Sequence, residues 1–440
     1  MRASWGQVVL RALAALLICL TAGPGARPTI AEDAPAGLVE KRVKSLGKVL
    51  PDARKPLLLS PNGDHVAYIN GAWTKNTKVR VVCDGRETEF YETLTFLCFS
   101  PDGKRFGFMG SHIGQRPSTA AFVCDGVEKT VSHEGAFAFS PDSKHLAYCG
   151  LGDALMLDDK MQKTGGFCRD PVFSPDSRHL ACRVVAAGKC YLACDGAKDQ
   201  GFDDVGGIVF CPNSAGLAYM GSERDAWFVI WSGRKLGPYK EVGKLVFSPD
   251  SSCLAFKAFV NKWFVVHEDK KGPEFDVVGD PVFSIGGGRL AYTATQGNAS
   301  LVVCDGKKGP EYEQVGQPVF ALEGKHLAYY ATRGGKTFAV CDGKESGDYH
   351  EITWIGFSPD NKHLVFTGGN EGKRSIVCDG LEGPIHQDVL VPEHFYDVPG
   401  KLRYVVVDKA AGGADNEARL VEVDWPADRT WEDAFKTKAP

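Results

Sequence analysis

Short apolar runs alternate with polar turns along the chain, and one arrangement keeps returning. Leu59-Ser-Pro-Asn-Gly-Asp-His-Val-Ala-Tyr68, Phe99-Ser-Pro-Asp-Gly-Lys-Arg-Phe-Gly-Phe108 and Phe139-Ser-Pro-Asp-Ser-Lys-His-Leu-Ala-Tyr148 share a large apolar residue, a turn and a second apolar run. Phe173 to Cys182, Phe210 to Tyr219, Phe247 to Phe256 and Phe357 to Phe366 repeat it closely. Phe283 to Tyr292 and Phe320 to Tyr329 keep the flanks and lose the Ser-Pro-Asp turn, and a worn copy runs from Phe395 to Tyr404. The residue after the first apolar position falls at 60, 100, 140, 174, 211, 248, 284, 321, 358 and 396, a period of 34–40 residues. A fixed period of this length marks a repeat architecture.

Each period reads as four short strands. In the unit near Gln317 these are Pro318–Ala321, Lys325–Tyr330, Thr337–Cys341 and Tyr349–Ile352, with Asp342-Gly343 as the tight turn before the last. The first three are apolar on both sides, as strands buried on both faces must be. Stacking such units into a ring removes exposed sheet edges, so the expected fold is all-β, a β-propeller of about ten four-stranded blades. One ring and two fused rings both fit the spacing. The last repeat, 391–440, either completes the ring with the strand near Val39–Val49 or caps it.

The phrase Phe-Ser-Pro-Asp-(Gly/Ser)-(Lys/Arg)-(His/x)-Leu-Ala-Tyr resembles the WD-like propeller repeat of TolB-type periplasmic proteins, over roughly residues 51 to 408. The resemblance implies the fold and no particular partner, because propellers host many functions. The additional phrase Cys-Asp-Gly-x-x-Gly-Pro, clearest from Cys304, departs from the usual pattern, and ten units exceed the six of TolB itself. The chain therefore reads as a variant subfamily.

The N-terminus changes the picture of where the protein works. Arg2 and Arg11 precede an apolar run from Ala12 to Leu20 and small residues up to Ala31, the pattern of a secretory signal peptide. Residues 1–31 are read as that signal, 32–50 as a lead-in and 51–440 as propeller. Cys19 follows Ile18, a poor match to a lipoprotein box. No later apolar run reaches the roughly 20 residues of a membrane helix. Export to the periplasm or beyond is expected, with no transmembrane span. Cleavage removes Arg2, Arg11 and Arg27 and no acid, which takes the formal charge from −4 to −7. That balance argues against a nucleic-acid partner.

Thirteen of the 14 cysteines lie beyond the signal. Six, Cys83, Cys124, Cys194, Cys304, Cys341 and Cys378, occupy equivalent places in different units, too far apart for bridges. A pair such as Cys182 with Cys194 across a hairpin stays open. His65, His145, His179, His326 and His363 share one position in the second strand. Away from the axis they cannot reach a common ion, so each is expected to bond within its own blade. Asp102, Asp142, Asp176, Asp250 and Asp360 are expected to form turns, since no calcium-loop spacing exists. The places nearest the axis, Pro56, Phe96, Ala136, Asp170, Gly207, Lys244, Asp280, Gln317 and Trp354, form no uniform ligand set.

No Gly-x-Ser-x-Gly elbow and no phosphate-binding Gly-x-x-x-x-Gly-Lys-(Ser/Thr) loop occur. No catalytic residue, cofactor or metal is assigned. The expected function is a non-catalytic, monomeric scaffold of the cell envelope that binds an envelope or extracellular protein, or a glycan or peptide ligand. The alternative is a propeller enzyme acting on polysaccharide, as lyase or glycoside hydrolase. Binding is expected on the variable loops between second and third strands: Trp73, Lys75, His112, Arg116, Arg224, Lys262 and Arg333.

Overall fold

The computed structural model describes residues 38–49, 58–71, 78–112, 119–132, 136–152, 154–370, 372–391, 400–409, 416–427 and 429–435. The leader, the worn turn near Phe395, and Pro56, Trp73, Lys75 and Arg116 lie outside them.

Ten antiparallel sheets form the ring. Nine are sequential meanders, spanning 58–87, 93–132, 137–163, 167–202, 204–239, 241–271, 277–308, 314–345 and 351–382. In the seventh and eighth the first strand is split in two. The tenth takes Asp388–Leu390, Lys401–Lys409 and Asn416–Asp424 from one end of the chain and Lys41–Val49 from the other. Lys41–Val49 pairs antiparallel with Asn416–Asp424, so the lead-in is the outer strand of the closing blade.

Ten buried apolar clusters lie among the described residues, each shared by two neighbouring blades. Val66 of the first blade packs with Leu46, Val405, Val407 and Leu420 of the tenth, and Val365 and Ile376 of the ninth pack with Leu402 and Tyr404 of the tenth. The circuit therefore closes as one ring, and the two-ring alternative is set aside. Second strands are buried on both faces, as in Leu290–Gln296, because a blade has a neighbour on either side.

Closure also draws on polar contacts of Glu40. Its carboxylate accepts from Tyr404 Oη at 2.5 Å and meets His386 Nε2 at 2.9 Å, while His386 Nδ1 contacts Asp408 Oδ2 at 2.7 Å. The last described segment is a cap as well. The short helix Trp431–Ala434 places Trp431, with Phe435, in the core shared by the eighth and ninth blades.

The fourth strand differs from expectation. In the eighth blade it is Lys344–Glu345, while Tyr349 returns to pair with Thr337 as an isolated bridge, and Glu351–Phe357 already begins the ninth blade. The reason lies in the turn. Asp342 and Gly343 have φ of 48° and 80°, both positive as a two-residue type I′ hairpin requires, so pairing resumes at once with Cys341 opposite Lys344.

Candidate functional site

In seven blades two turns on the same side are tied together by side chains. Ser100 Oγ donates to Asp102 Oδ1 at 2.6 Å and accepts the Arg105 amide at 2.9 Å, and Asp102 Oδ1 also takes the Lys104 amide. Asp142, Asp176 and Asp360 repeat this, so the aspartates are turn-formers. Five residues after the position of Ser100, which is serine in six of the blades concerned and Ala321 in the eighth, a basic side chain reaches the aspartate of the second turn. The pairs are His65–Asp84, Arg105–Asp125, His145–Asp158, His179–Asp195, Arg289–Asp305, His326–Asp342 and His363–Asp379, at 2.5–2.9 Å. Each histidine bonds within its own blade, as the sequence implies. Asp195 holds the His179 imidazolium and raises its pKa above the usual value. The same carboxylate usually also caps the second strand, as when the Leu327 amide donates to Asp342 Oδ1.

The two arginines among these basic side chains face the first-strand phenylalanine of the next blade: Arg105 lies 5.2 Å from the Phe139 ring centre and Arg289 5.2 Å from Phe320. In these two blades a cation, a carboxylate and a neighbouring ring make a polar seal over the interface, and five further blades place a histidine–aspartate pair at the same spot.

The fifth blade breaks the seal. Where other blades carry Lys144-His145, Arg178-His179 or Lys362-His363, it carries Ala215-Gly216, and its second turn has Ser232 in place of aspartate. The small side chains of Ala215 and Gly216 line a cleft of about 430 Å³ against the fourth blade, beside the intact His179–Asp195 pair, with Leu192, Cys194, Lys198, Phe210 and Leu217 among its other walls. Its floor is apolar and its rim charged. Asp199, on the rim, accepts from Tyr219 Oη at 2.5 Å, and Lys198 Nζ donates to the Gly165 carbonyl at 2.9 Å. Desolvation pushes the Cys194 thiol up to about 11, so it stays protonated at neutral pH.

Of the loop residues singled out from sequence, four lie within the described regions, on the side opposite the Asp-Gly turns. His112 Nε2 contacts Glu128 at 2.8 Å and its ring stacks on Tyr91 at 4.6 Å. Lys262 pairs with Asp276 at 3.1 Å. Arg333 pairs with Glu345 at 2.7 Å and covers the Phe338 ring. Arg224 occupies the left-handed region, φ 49°, with its amide donating to Asp203. They belong to the second, sixth, eighth and fifth blades, so only Arg224 and Lys262 sit in neighbouring blades.

Near the axis, Phe96, Asp170 and Gly207 have positive φ within first-strand bulges. Bulges re-aim side chains, and here they turn a mixed set of residues out of the ladder. Asp280 lies 2.9 Å from Lys257 of the preceding blade, with the contact out of line for a hydrogen bond. The thirteen described cysteines are all thiols. Cys182 faces Ala193 rather than Cys194 across its hairpin, and Cys168 is the thiol beside Cys149.

The cleft was not among the sequence candidates. Its signal was present as the one unit reading Cys211-Pro-Asn-Ser-Ala-Gly216, where the repeat's cation is replaced by glycine.

No family model matches the chain, and no curated protein matches it. Among solved structures, it is similar to a eukaryotic initiation factor at 11% identity and a TM-score of 0.44, over 73% of this chain and 95% of that one. It is also similar to dihydro-heme d1 dehydrogenase NirN, in complex with DHE, at 13% identity and a TM-score of 0.37, over 84% and 82% respectively. The propeller assignment rests on the strand order and ring closure of the chain itself.

Proposed function

We propose that this chain is an exported binding scaffold, a propeller of TolB-like repeats with its ligand-binding surface where the fifth blade carries the small pair Ala215-Gly216. The observation that carries this reading is the cleft between the fourth and fifth blades. A rigid ring holds its walls, an apolar floor of Leu192, Phe210 and Leu217 suits a protruding apolar side chain, and Lys198 and Asp199, anchored by Gly165 and Tyr219, mark a charged rim. Interfaces concentrate their energy in such anchor pockets. The occupant proposed is therefore an apolar anchor residue on a loop of an envelope or extracellular protein. The leader-like N-terminus supports work outside the cytoplasm, and among the described residues no helix is long and apolar enough to cross a membrane.

Site-directed photo-cross-linking tests the reading. A cross-linking residue at Ala215 should capture a discrete protein from an envelope extract. The same probe at Lys144, the equivalent place in the sealed third blade, should not. Equal capture at both positions, or none at either, would count against the cleft.

A further inference from the structure

The sixth blade breaks the same seal in a different way. Its sequence exchanges the residue types of the other blades: Cys253 stands where the cation belongs, His267 where the cysteine of Cys-Asp-Gly belongs, and Glu268 where the aspartate belongs. Seven blades pair the turn carboxylate with a basic side chain at the equivalent of position 253. Here that place holds a thiol, so the repeat's basic partner is absent from it.

The fold nevertheless draws the three side chains together. Cys253 is fixed by its amide donating to Ser248 Oγ at 2.9 Å and its carbonyl accepting from the Ser248 amide at 2.9 Å. His267 ends the third strand, opposite Ala255, and its ring meets Phe283 of the seventh blade edge-on at 5.5 Å. Glu268, with φ of 50°, begins the turn. One donor atom from each of Cys253, His267 and Glu268 lies within 4.8 Å of the other two. Glu268 Oε2 is 3.3 Å from Lys270 Nζ, while Oε1 is 3.9 Å from Cys253 Sγ, so one carboxylate oxygen is directed to the trio and the other to solvent-side lysine.

We propose that Cys253, His267 and Glu268 form a binding site for one divalent zinc ion. A thiolate, an imidazole nitrogen and a carboxylate are the donor types zinc takes, with bonds of about 2.0–2.3 Å, and tetrahedral geometry leaves a fourth position for water. Donors less than 5 Å apart need only small rotamer changes to close on such an ion. The thiol proton leaves to solvent as the sulfur–zinc bond forms. The metal takes the place that histidine or arginine holds beside the turn carboxylate in other blades, and it ties the second strand to the third-strand turn as those pairs do.

A second trio, His363, Cys378 and Asp379, has the donors equally close but is a sealed pair. His363 Nδ1 is bonded to Asp379 at 2.5 Å, both side chains are buried, and Trp425 stacks on the imidazole at 5.3 Å. It is the internal control.

The test uses the whole metal-free protein, titrated with zinc by calorimetry and with cobalt(II) by absorption, where a thiolate-to-cobalt band reports the cysteine. The expected result is one equivalent bound with a dissociation constant of roughly micromolar or tighter. Cys253→Ser should abolish the thiolate band. Cys253→Ser and His267→Ala should each weaken zinc by at least about tenfold, and Cys378→Ser should change neither stoichiometry nor affinity. Circular dichroism identifies any variant that fails to fold, in which case Glu268→Gln, at a turn on the surface, provides the comparison. Absence of zinc binding to the folded protein, or binding undiminished in the folded Cys253, His267 and Glu268 variants, would overturn the proposal.

Discussion

The backbone amide of Asp102 donates to Ser143 Oγ at 2.9 Å, across the boundary between the second and third blades. The same link recurs from Asp142 to Ser177, Asp176 to Ser214 and Asn213 to Ser251. Each of these four turns thus both closes its own hairpin and takes hold of the next. Because a native hydrogen bond contributes about 1 kcal/mol net, Ser143→Ala is expected to lower stability by about that amount. Denaturant unfolding of the single variant measures it, and Ser143→Ala with Ser177→Ala should lose about twice as much if the stitches act independently.

Closure of the ring should depend on pH through His386. Burial lowers its pKa, but bonds to Glu40 and Asp408 outweigh this and leave it raised above 6.5. A raised folded-state value means the histidine's stabilising contribution is fully present below its unfolded value and is lost as pH rises through the folded value. Asp408 opposes at the acid end: burial raises its pKa, while the bond to His386 and further contacts hold it below 3.8, so its contribution fades as pH falls through that lowered value. Thermal unfolding of the native protein minus that of His386→Gln should shrink as pH rises above about 6.5. A difference that grows with pH would contradict the assignment.

Trp431 locks the cap onto the ring. It is 3% exposed, meets His326 edge-on at 4.9 Å and packs in the same cluster as Phe357 and Leu364. Trp431→Ala is expected to cost about 3–5 kcal/mol, read by denaturant unfolding, and to speed hydrogen exchange in the eighth and ninth blades specifically.

Among thirteen thiols, Cys149 and Cys168 stand out. Their sulfurs are 3.1 Å apart across the interface of the third and fourth blades, and both are buried. With oxidised glutathione as the oxidant, two protein thiols become one disulfide and two reduced glutathiones. This pair is expected to join before any Cys-Asp-Gly cysteine, closing a loop about 20 residues long and adding about 3 kcal/mol. Peptide mapping after alkylation identifies the bridge, and Cys149→Ser should remove it together with the gain in stability.

Much of the fold was legible because turn chemistry dictates residue identity. A serine that must bond Asp two positions on and the amide five positions on leaves the same letters in nearly every unit, so the period, the blade and the turn role of Asp102 or Asp360 could be read directly. Strand ends were less legible. Tyr349 reads like the fourth strand, yet Lys344–Glu345 pairs first because the Asp342-Gly343 turn is only two residues long. The sites were the least legible. Gly216 and Cys253 are visible departures, but their meaning needs the knowledge that the fifth residue after the turn's first position meets a second turn 13–20 positions later, beside the neighbouring blade. The loop residues Lys262 and Arg333 looked available for a partner and are instead paired with Asp276 and Glu345.

The central claim is that the small Ala215-Gly216 turn of the fifth blade opens a binding surface against the fourth. Its most direct measurement is partner capture from an envelope extract by the native protein and by Ala215→Lys with Gly216→His, which rebuilds the residues of the third blade over the cleft. The account predicts a specific partner held by the native protein and lost by the double variant, with unchanged circular dichroism and thermal stability. A partner held equally by both proteins, or no partner on the native protein, would contradict it.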